Sequence, residues 1–460
     1  MARGKKAVQE LSPGERLEQA LVPVEEQPYS IPENWCWVRL NKLYEINPKV
    51  TADDTVLASF VPMERIEAGM TGRFTFEIQP WGKARKNHTQ FADGDVAFAK
   101  ISPCFENQKS MVVQGLTNGI GGGTTELIIL RQPLMNQRYT FLLVSTEDFI
   151  SRGSATYSGT VGQQRISMDF VKGYPVPVPP FSEQQRIVDR IESLFAKLDE
   201  AKEKAQTVVD GFELRKSAIL HKAFTGELTE RWRKEHGVGL DSWTDTTIGE
   251  QAELITKGAS PRWQGVEYTD DKSQTLFVTS ENVREGYLDF TKEKYLSNEI
   301  NDIQKRSVLN YGDVLVNIVG ASIGRAAIYN LHQLANTNQA VCIVRLKPGI
   351  SNEFVCAYLN APLAQSYYYD NKVETARANV SLGSISAMRI SLPTSSEQKE
   401  IVDSLDKILG MQQQAKEAAE AVLSQIDTMK KAILARAFRG ELGTNDPEEE
   451  WAGEMVKTVL

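Results

Sequence analysis

One long segment occurs twice in this chain, and that repeat constrains the fold more than any other feature. Residues 182–228 align without a gap to residues 396–442, at an offset of 214 and with 20 identities in 47 positions. Self-similarity of this kind marks a duplicated structural unit. In both copies the apolar residues recur every seven positions, which predicts a coiled-coil helix in place of the drifting stripe of a globular one. The first seam is Ile187, Ile191, Leu194, Leu198, Ala201, Ala205, Val208 and Phe212. The second is Ile401, Leu405, Ile408, Gln412, Ala415, Ala419, Val422, Ile426, Met429 and Ile433, with Gln412 as a polar interruption. Two matching seams in one chain bury most economically against each other. About 40 helical residues rising ~1.5 Å each give a rod of roughly 60 Å. Ser182 and Ser396 stand ahead of the rods as capping hydroxyls, and Pro179-Pro180 and Pro393 stop any helix upstream. Gly226 and Gly440 supply the C-terminal stops.

Weaker similarity precedes each rod. Phe60–Gly69 matches Phe277–Gly286, and Gly94-Asp95-Val96 matches Gly312-Asp313-Val314. These offsets are 217 and 218, so the globular parts have gained and lost loop residues while the rods have not. Short β-rich runs bounded by turns, such as Glu126–Arg131 and Ala340–Leu346, alternate with short helical stretches. The expected fold is mixed α+β: two similar α/β domains separated by two long antiparallel coiled-coil helices, with an internal pseudo-two-fold repeat. The expected order is an extension with a short helix at 1–30 (the helix near 8–20), a domain at 31–181, a rod at 182–228, a linker at 229–239, a domain at 240–395, a rod at 396–442 and a mobile acidic tail at 443–460.

The net charge of −8 sits awkwardly with a nucleic-acid partner, because phosphate binding rests on clustered Lys and Arg. Its placement softens the objection. Residues 31–180 carry 15 basic against 14 acidic side chains and residues 240–392 carry 14 against 17, whereas the tail holds Asp446, Glu448, Glu449, Glu450 and Glu454 against Lys457. No apolar stretch reaches the roughly 20 residues that span a bilayer, and the start of the chain runs into polar sequence, so a cytoplasmic protein without a membrane partner is expected. Cys36, Cys104, Cys342 and Cys356 lie far apart and read as reduced thiols, and the four scattered histidines suggest no metal site.

The order of domain, long helix, domain and long helix resembles the DNA-specificity (S) subunits of type I restriction-modification systems over nearly the whole chain. The Pro-rich step into Ser-Glu-Gln, the Ala-Phe-Xaa-Gly-Glu-Leu ending and the entry Ile31-Pro-Glu-Asn-Trp35-Cys-Trp37 carry the resemblance. It implies a non-catalytic chain in which two target-recognition domains, held apart by the helices, each read half of an asymmetric double-stranded DNA target. It further implies two N6-adenine methyltransferase subunits and two restriction (motor-nuclease) subunits as partners in phage defence. No cofactor is expected in this chain; S-adenosylmethionine, and ATP with Mg for restriction, would sit on the partners.

Candidate DNA contacts come from polar loops that differ between the repeats. Lys83, Arg85, Lys86, Asn87 and His88 face the run Asn301–Arg306, which contributes Lys305 and Arg306. Gln163, Gln164 and Arg165 face Arg377-Ala378-Asn379, shortly before the rods, where the family places DNA-facing loops. Arg262, Trp263 and Gln264 follow a Gly-Ala-Ser-Pro turn. Arg can bond guanine and Asn or Gln adenine, so such exchanges would alter the bases preferred. The basic run at 83–86 reads equally as a solvated loop or a phosphate contact, and Trp263 as an aromatic packed beside its turn. Val178-Pro179-Pro180-Phe181 mimics an adenine-methyltransferase motif but has valine where a polar group must hold the target amine, so it reads as an extended linker. Gly119–Gly123 and Gly320–Gly324 lack phosphate-loop spacing and read as turns. A coiled-coil scaffold without DNA readout is the alternative from another class, and a stand-alone methyltransferase is disfavoured by its missing motifs.

Overall fold

The computed structural model describes residues 12–132, 134–160, 162–373 and 378–460. The chain forms two compact units: one holds the residues up to Lys204 together with Val422–Leu460, the other Ala205–Ala421. Each unit thus joins one globular domain to the near half of both long helices, a division that the linear order of domains and rods does not suggest.

In the first unit, strand Cys36–Arg39 pairs antiparallel with Pro175–Val178, so the start and end of the domain close on each other. One four-stranded sheet runs in the order Glu45–Ile46, Leu127–Arg131, Val96–Ala99, Ser110–Val112. A second runs Glu77–Pro80, Leu57–Val61, Ile120–Gly123, Thr89–Ala92, with its central pair parallel. The second unit repeats the plan. Thr244–Thr247 pairs with Arg389–Leu392. Its sheets run Ala252–Lys257, Val341–Leu346, Val314–Asn317, Ala326–Ile328 and Tyr268–Thr269, Tyr295–Leu296, Thr275–Val278, Ala335–Thr337. The pair Thr275–Val278 with Ala335–Thr337 is again parallel. The Gly-Asp-Val repeats occupy equivalent turns: Gly94 and Gly312 are left-handed at φ 96° and 93°. Asp95 takes a forked pair from Arg131 at 2.7 and 2.8 Å, and Asp313 takes one from Arg345 at 2.8 Å twice.

The long helices are antiparallel within each unit. In the first, Ile187 and Ile191 share a core with Leu434, Ala437 and Phe438, and Lys430 bonds Asp199 at 2.6 Å. In the second, Leu220 packs with Ile401 and Leu405, while Arg215 Nε donates to Gln412 Oε1 at 2.9 Å. Ile187, Ile191, Ala205, Phe212, Ile401, Leu405, Ala419 and Ile426 are buried, and Leu194, Leu198 and Ile408 half-buried. Val422 leaves the predicted seam at 42% exposed, and Ala415 and Met429 are exposed too: these three form one seven-residue row, while the alternate seam positions Ala419 and Ile426 stay buried.

Several local expectations change. The first rod is two helices, Phe181–Asp210 and Phe212–Phe224, broken at Gly211, whereas the second is unbroken over Ser395–Ala437. Ser182 and Ser396 lie inside their helices rather than capping them; in the second copy Thr394 Oγ1 accepts from Glu397 N. Gly226 and Gly440 do adopt the left-handed stop. Ile120–Gly123 is a strand and not a turn. In the expected linker, Glu230–His236 is helical. The short N-terminal helix spans Pro13–Ala20, capped by Ser12; residues 8–11 fall outside the described residues.

The acidic tail, expected to be mobile, is folded against the first domain. Glu449 takes a forked pair from Arg186 at 2.7 and 2.8 Å, Asn34 Nδ2 donates to Asp446 O, and Trp451 Nε1 donates to Trp35 O. Helix Ala452–Lys457 buries Ala452 and Val456 in the same core as Leu17 and Ala20. Its acidic residues had masked two apolar anchors, Ala452 and Val456. No helix among the described residues is long and apolar enough to cross a membrane.

Candidate nucleic-acid interface

The frame that carries the candidate loops is built at the Ser-Glu-Gln steps. Glu183 and Glu397 are fully buried, each accepting a tryptophan indole N–H: Trp35 to Glu183 at 2.7 Å and Trp243 to Glu397 at 2.9 Å. The neighbouring glutamines staple domain to helix in parallel ways. Gln184 Oε1 accepts from Asn136 N at 2.8 Å, and Gln398 Oε1 from Ser351 N at 3.0 Å. Each amide nitrogen reaches back to a proline carbonyl, Pro179 O or Pro393 O. A buried carboxylate survives only with such donors, so the motif is a structural rivet.

On the first domain, helix Trp81–Ala84 carries the start of the basic loop, fixed by buried Trp81 and Ala84. Gly122 lets it sit down on the sheet, since a Cβ there would lie 2.1 Å from Ala84 O. Lys83 and Lys86 are exposed and make no ion pair among the described residues. Arg85 forks onto Asp54 at 2.8 and 3.1 Å; this pair holds Asp54 below the ordinary carboxylate range and raises Arg85 further. Asn87 is left-handed at φ 60°. His88 turns back into the fold, with Nδ1 3.1 Å from Ala84 O and its ring 4.8 Å from that of Phe60, which places it as a loop anchor.

Arg165 forks onto Glu126 at 2.7 and 2.9 Å, and Nη1 donates to Gln163 O. Gln163 is exposed and Gln164 half-buried. Thr89, directly after His88, pairs with Gly123, and Glu126 lies three residues beyond. The turn Thr124–Glu126 leads from Gly123, in the sheet that holds Thr89, to Leu127 in the other sheet, and carries the carboxylate that Arg165 bonds.

On the second domain, Arg262, Trp263 and Gln264 are exposed on the 3-10 turn Pro261–Gln264. Trp263 is 81% exposed. Gln304 ties this turn to the next candidate pair: its Oε1 accepts from Ala259 N at 2.7 Å and its Nε2 donates to Ala259 O at 3.4 Å. Lys305 and Arg306 follow directly, exposed and without ion pairs among the described residues. Gly258 permits the crossing, because a Cβ there would meet Thr337 O at 1.7 Å. Asn379 is held in bridges with Val319 and Val373; Arg377 lies outside the described residues. The two pre-rod loops match in backbone: Ser102 N donates to Gln164 O at 2.8 Å and Gly320 N to Ala378 O at 2.9 Å.

Sequence reading missed Asp54, Glu126 and Gln304, which set how Arg85, Arg165 and the Trp263 turn are presented. None sits in a local motif; their partners lie 31, 39 and 45 residues away. Burial pushes the Cys36, Cys342 and Cys356 thiols up to about 12, and no metal-binding group of His, Cys, Asp or Glu occurs among the described residues.

Comparison with known proteins agrees with this duplicated frame. The family model for the type I restriction modification DNA specificity domain matches residues 32–208 and again 242–422, each time one domain with its following helix. The Escherichia coli EcoAI specificity subunit is 37% identical over 217 residues, which is 46% of this chain and 37% of that protein. The EcoEI specificity subunit is 35% identical over 238 residues, 50% of this chain and 39% of that protein, so the chain spans well under half the length of either. The EcoBI specificity subunit matches more broadly, 26% identical over 408 residues and 84% of its length. Among solved structures, the HsdS subunit from Thermoanaerobacter tengcongensis shares the fold with a TM-score of 0.69 at 20% identity, covering 91% of this chain and 100% of that one.

Proposed function

The chain belongs to the type I restriction-modification DNA specificity family, and we propose that it is a non-catalytic subunit that reads a bipartite, asymmetric target in double-stranded DNA. Each domain takes one half-site, and the antiparallel helices act as the spacer that sets the unread gap. The chain directs partner subunits to that target: two N6-adenine methyltransferase subunits, and two ATP-dependent motor-nuclease subunits for restriction. S-adenosylmethionine, ATP and Mg belong to those partners. One observation carries the reading: the rivets and turns of the two domains are bonded alike, while the exposed polar side chains on them differ. Lys83, Arg85, Lys86 and Asn87 occupy the position that presents Lys305 and Arg306 in the second copy, and Gln163, Gln164 and Arg165 the position of Arg377 and Asn379. A duplicated frame with divergent polar loops suits two different half-sites under approximate two-fold symmetry. A scaffold without DNA readout accounts for the helices but not for that divergence.

Methylome sequencing tests this. Cells carrying this chain with its neighbouring methyltransferase gene should show a bipartite, asymmetric N6-methyladenine motif that disappears when this chain alone is deleted. Unchanged methylation would refute the specificity role.

A further inference from the structure

Trp263 stands apart from the other tryptophans. Trp35, Trp37 and Trp81 are all at most 3% exposed, whereas Trp263 shows 81% of its surface to solvent. Its base is nonetheless anchored in the fold. Pro261 is buried, Gly265 closes the turn at φ 75°, and Val266 anchors the exit in a cluster with Phe277, Leu296 and Ile300. Gln304 holds Ala259 from both sides. Residues 259–265 and 304–307, joined by that bond pair, carry Arg262, Lys305 and Arg306, with the acids Glu267 and Asp302 two residues outside them. An exposed indole on a turn that also carries Arg262, with Lys305 and Arg306 on the segment bonded to it, suits a nucleic acid, whose bases offer π faces and whose phosphates take the charge. Among its described residues the first domain shows no counterpart: the aromatics around its basic loop, Trp81 and the Phe60–His88 pair, are turned into the fold.

We propose that Trp263 is a wedge that inserts at one base step of the half-site read by the second domain, unstacking it, while the first domain leaves its half-site stacked. This rests on the reading that the second domain binds DNA. Insertion favours steps that unstack easily, so the base preference there follows deformability, with pyrimidine–purine steps preferred, and needs no hydrogen bond to a base edge. Because the turn is already ordered, little conformational entropy opposes insertion.

The test uses the full chain with its methyltransferase subunits and a duplex carrying the motif read from the methylome. The fluorescent base 2-aminopurine replaces each adenine of the second half-site in turn. Wild-type complex should brighten one position several-fold, Trp263→Ala should abolish that signal, and Trp263→Phe should retain part of it. Trp263→Ala should bind about 10- to 100-fold more weakly, with an unchanged slope of log affinity against log salt, since the indole neutralises no phosphate. Equal affinity and equal fluorescence in wild type and Trp263→Ala would overturn the wedge while leaving the DNA-reading role intact. Loss of methyltransferase copurification in Trp263→Ala with DNA affinity unchanged would also overturn it, marking the patch as a protein contact. Wild-type complex that binds the motif no better than a scrambled duplex would instead remove the underlying reading.

Discussion

The two buried glutamates occupy equivalent places, yet they are neutralised differently. Glu397 is paired with a cation: Arg233 Nη1 lies 2.6 Å from Oε1, and Thr229 and Trp243 complete its donors. Glu183 is held by neutral donors, Trp35 at 2.7 Å and Asn445 Nδ2 at 3.0 Å, with Thr444 more distant. The segment after each rod supplies these partners, Thr229 and Arg233 after the first and Thr444 and Asn445 after the second. What the duplication preserved is the tryptophan donor and the requirement that a buried carboxylate be satisfied, not the other residues that satisfy it. The same holds at the loops, where Arg85 and Arg165 are tied to acids while Lys305 and Arg306 are not.

That contrast can be broken by mutation. Arg233→Ala should have the largest effect, costing about 3–5 kcal/mol by stranding Glu397 as a buried, unpaired charge. Urea unfolding of the full chain reads this, and a loss as small as that of an ordinary surface substitution would show that Glu397 does not depend on its cation. Asn445→Ala removes one bond to a charged acceptor and should cost about 1.5–3 kcal/mol, in the transition of the first unit. If it matched Arg233→Ala, the distinction between the two junctions would collapse.

A third prediction concerns pH. The hydrogen bond from Arg186 holds the Glu449 carboxyl below its ordinary 4.5. A carboxyl depressed in the folded state contributes stability above its unfolded value and loses it as pH falls through the folded one. The tail should therefore loosen only in acid, at pH below about 4.5, by about 1 kcal/mol or less because the pair is partly exposed. Proteolysis of residues 444–460 in neutral and acidic buffer checks this; a tail released on raising the pH would contradict it. Smallest of all is the charge effect at the loops. Replacing Lys83, Arg85 and Lys86 together with alanine should flatten the salt dependence of DNA binding by up to about 0.9 for each phosphate no longer neutralised. Arg85, already bonded to Asp54, should contribute less than the two lysines. An unchanged slope would remove this loop from the interface.

Ile187, Ile191, Ile401 and Leu405 were legible as a seam because helix burial repeats at short range. The matching turns at Gly94 and Gly312 were legible because a duplicated unit keeps its backbone requirements. Ser-Glu-Gln was visible as a motif but misread as a cap, since its donors, Trp35 and Trp243, lie 148 and 154 residues away. The tail was misread for a related reason: its acidic residues hid Ala452 and Val456, whose burial needs a surface formed by the other end of the chain. At the loops, residue type was visible and presentation was not; His88 and Arg165 gave no local sign of the contacts that hold them.

Sequence alone determined the duplication, the two long helices, their seam and the two mixed domains, because those follow from periodicity and self-similarity along the chain. Tertiary structure decided where the first rod breaks, how each buried glutamate is satisfied, where the tail docks, and which cations stay unpaired. Those outcomes depend on groups distant in sequence meeting in a low-dielectric interior, where an unpaired polar group is too costly to leave.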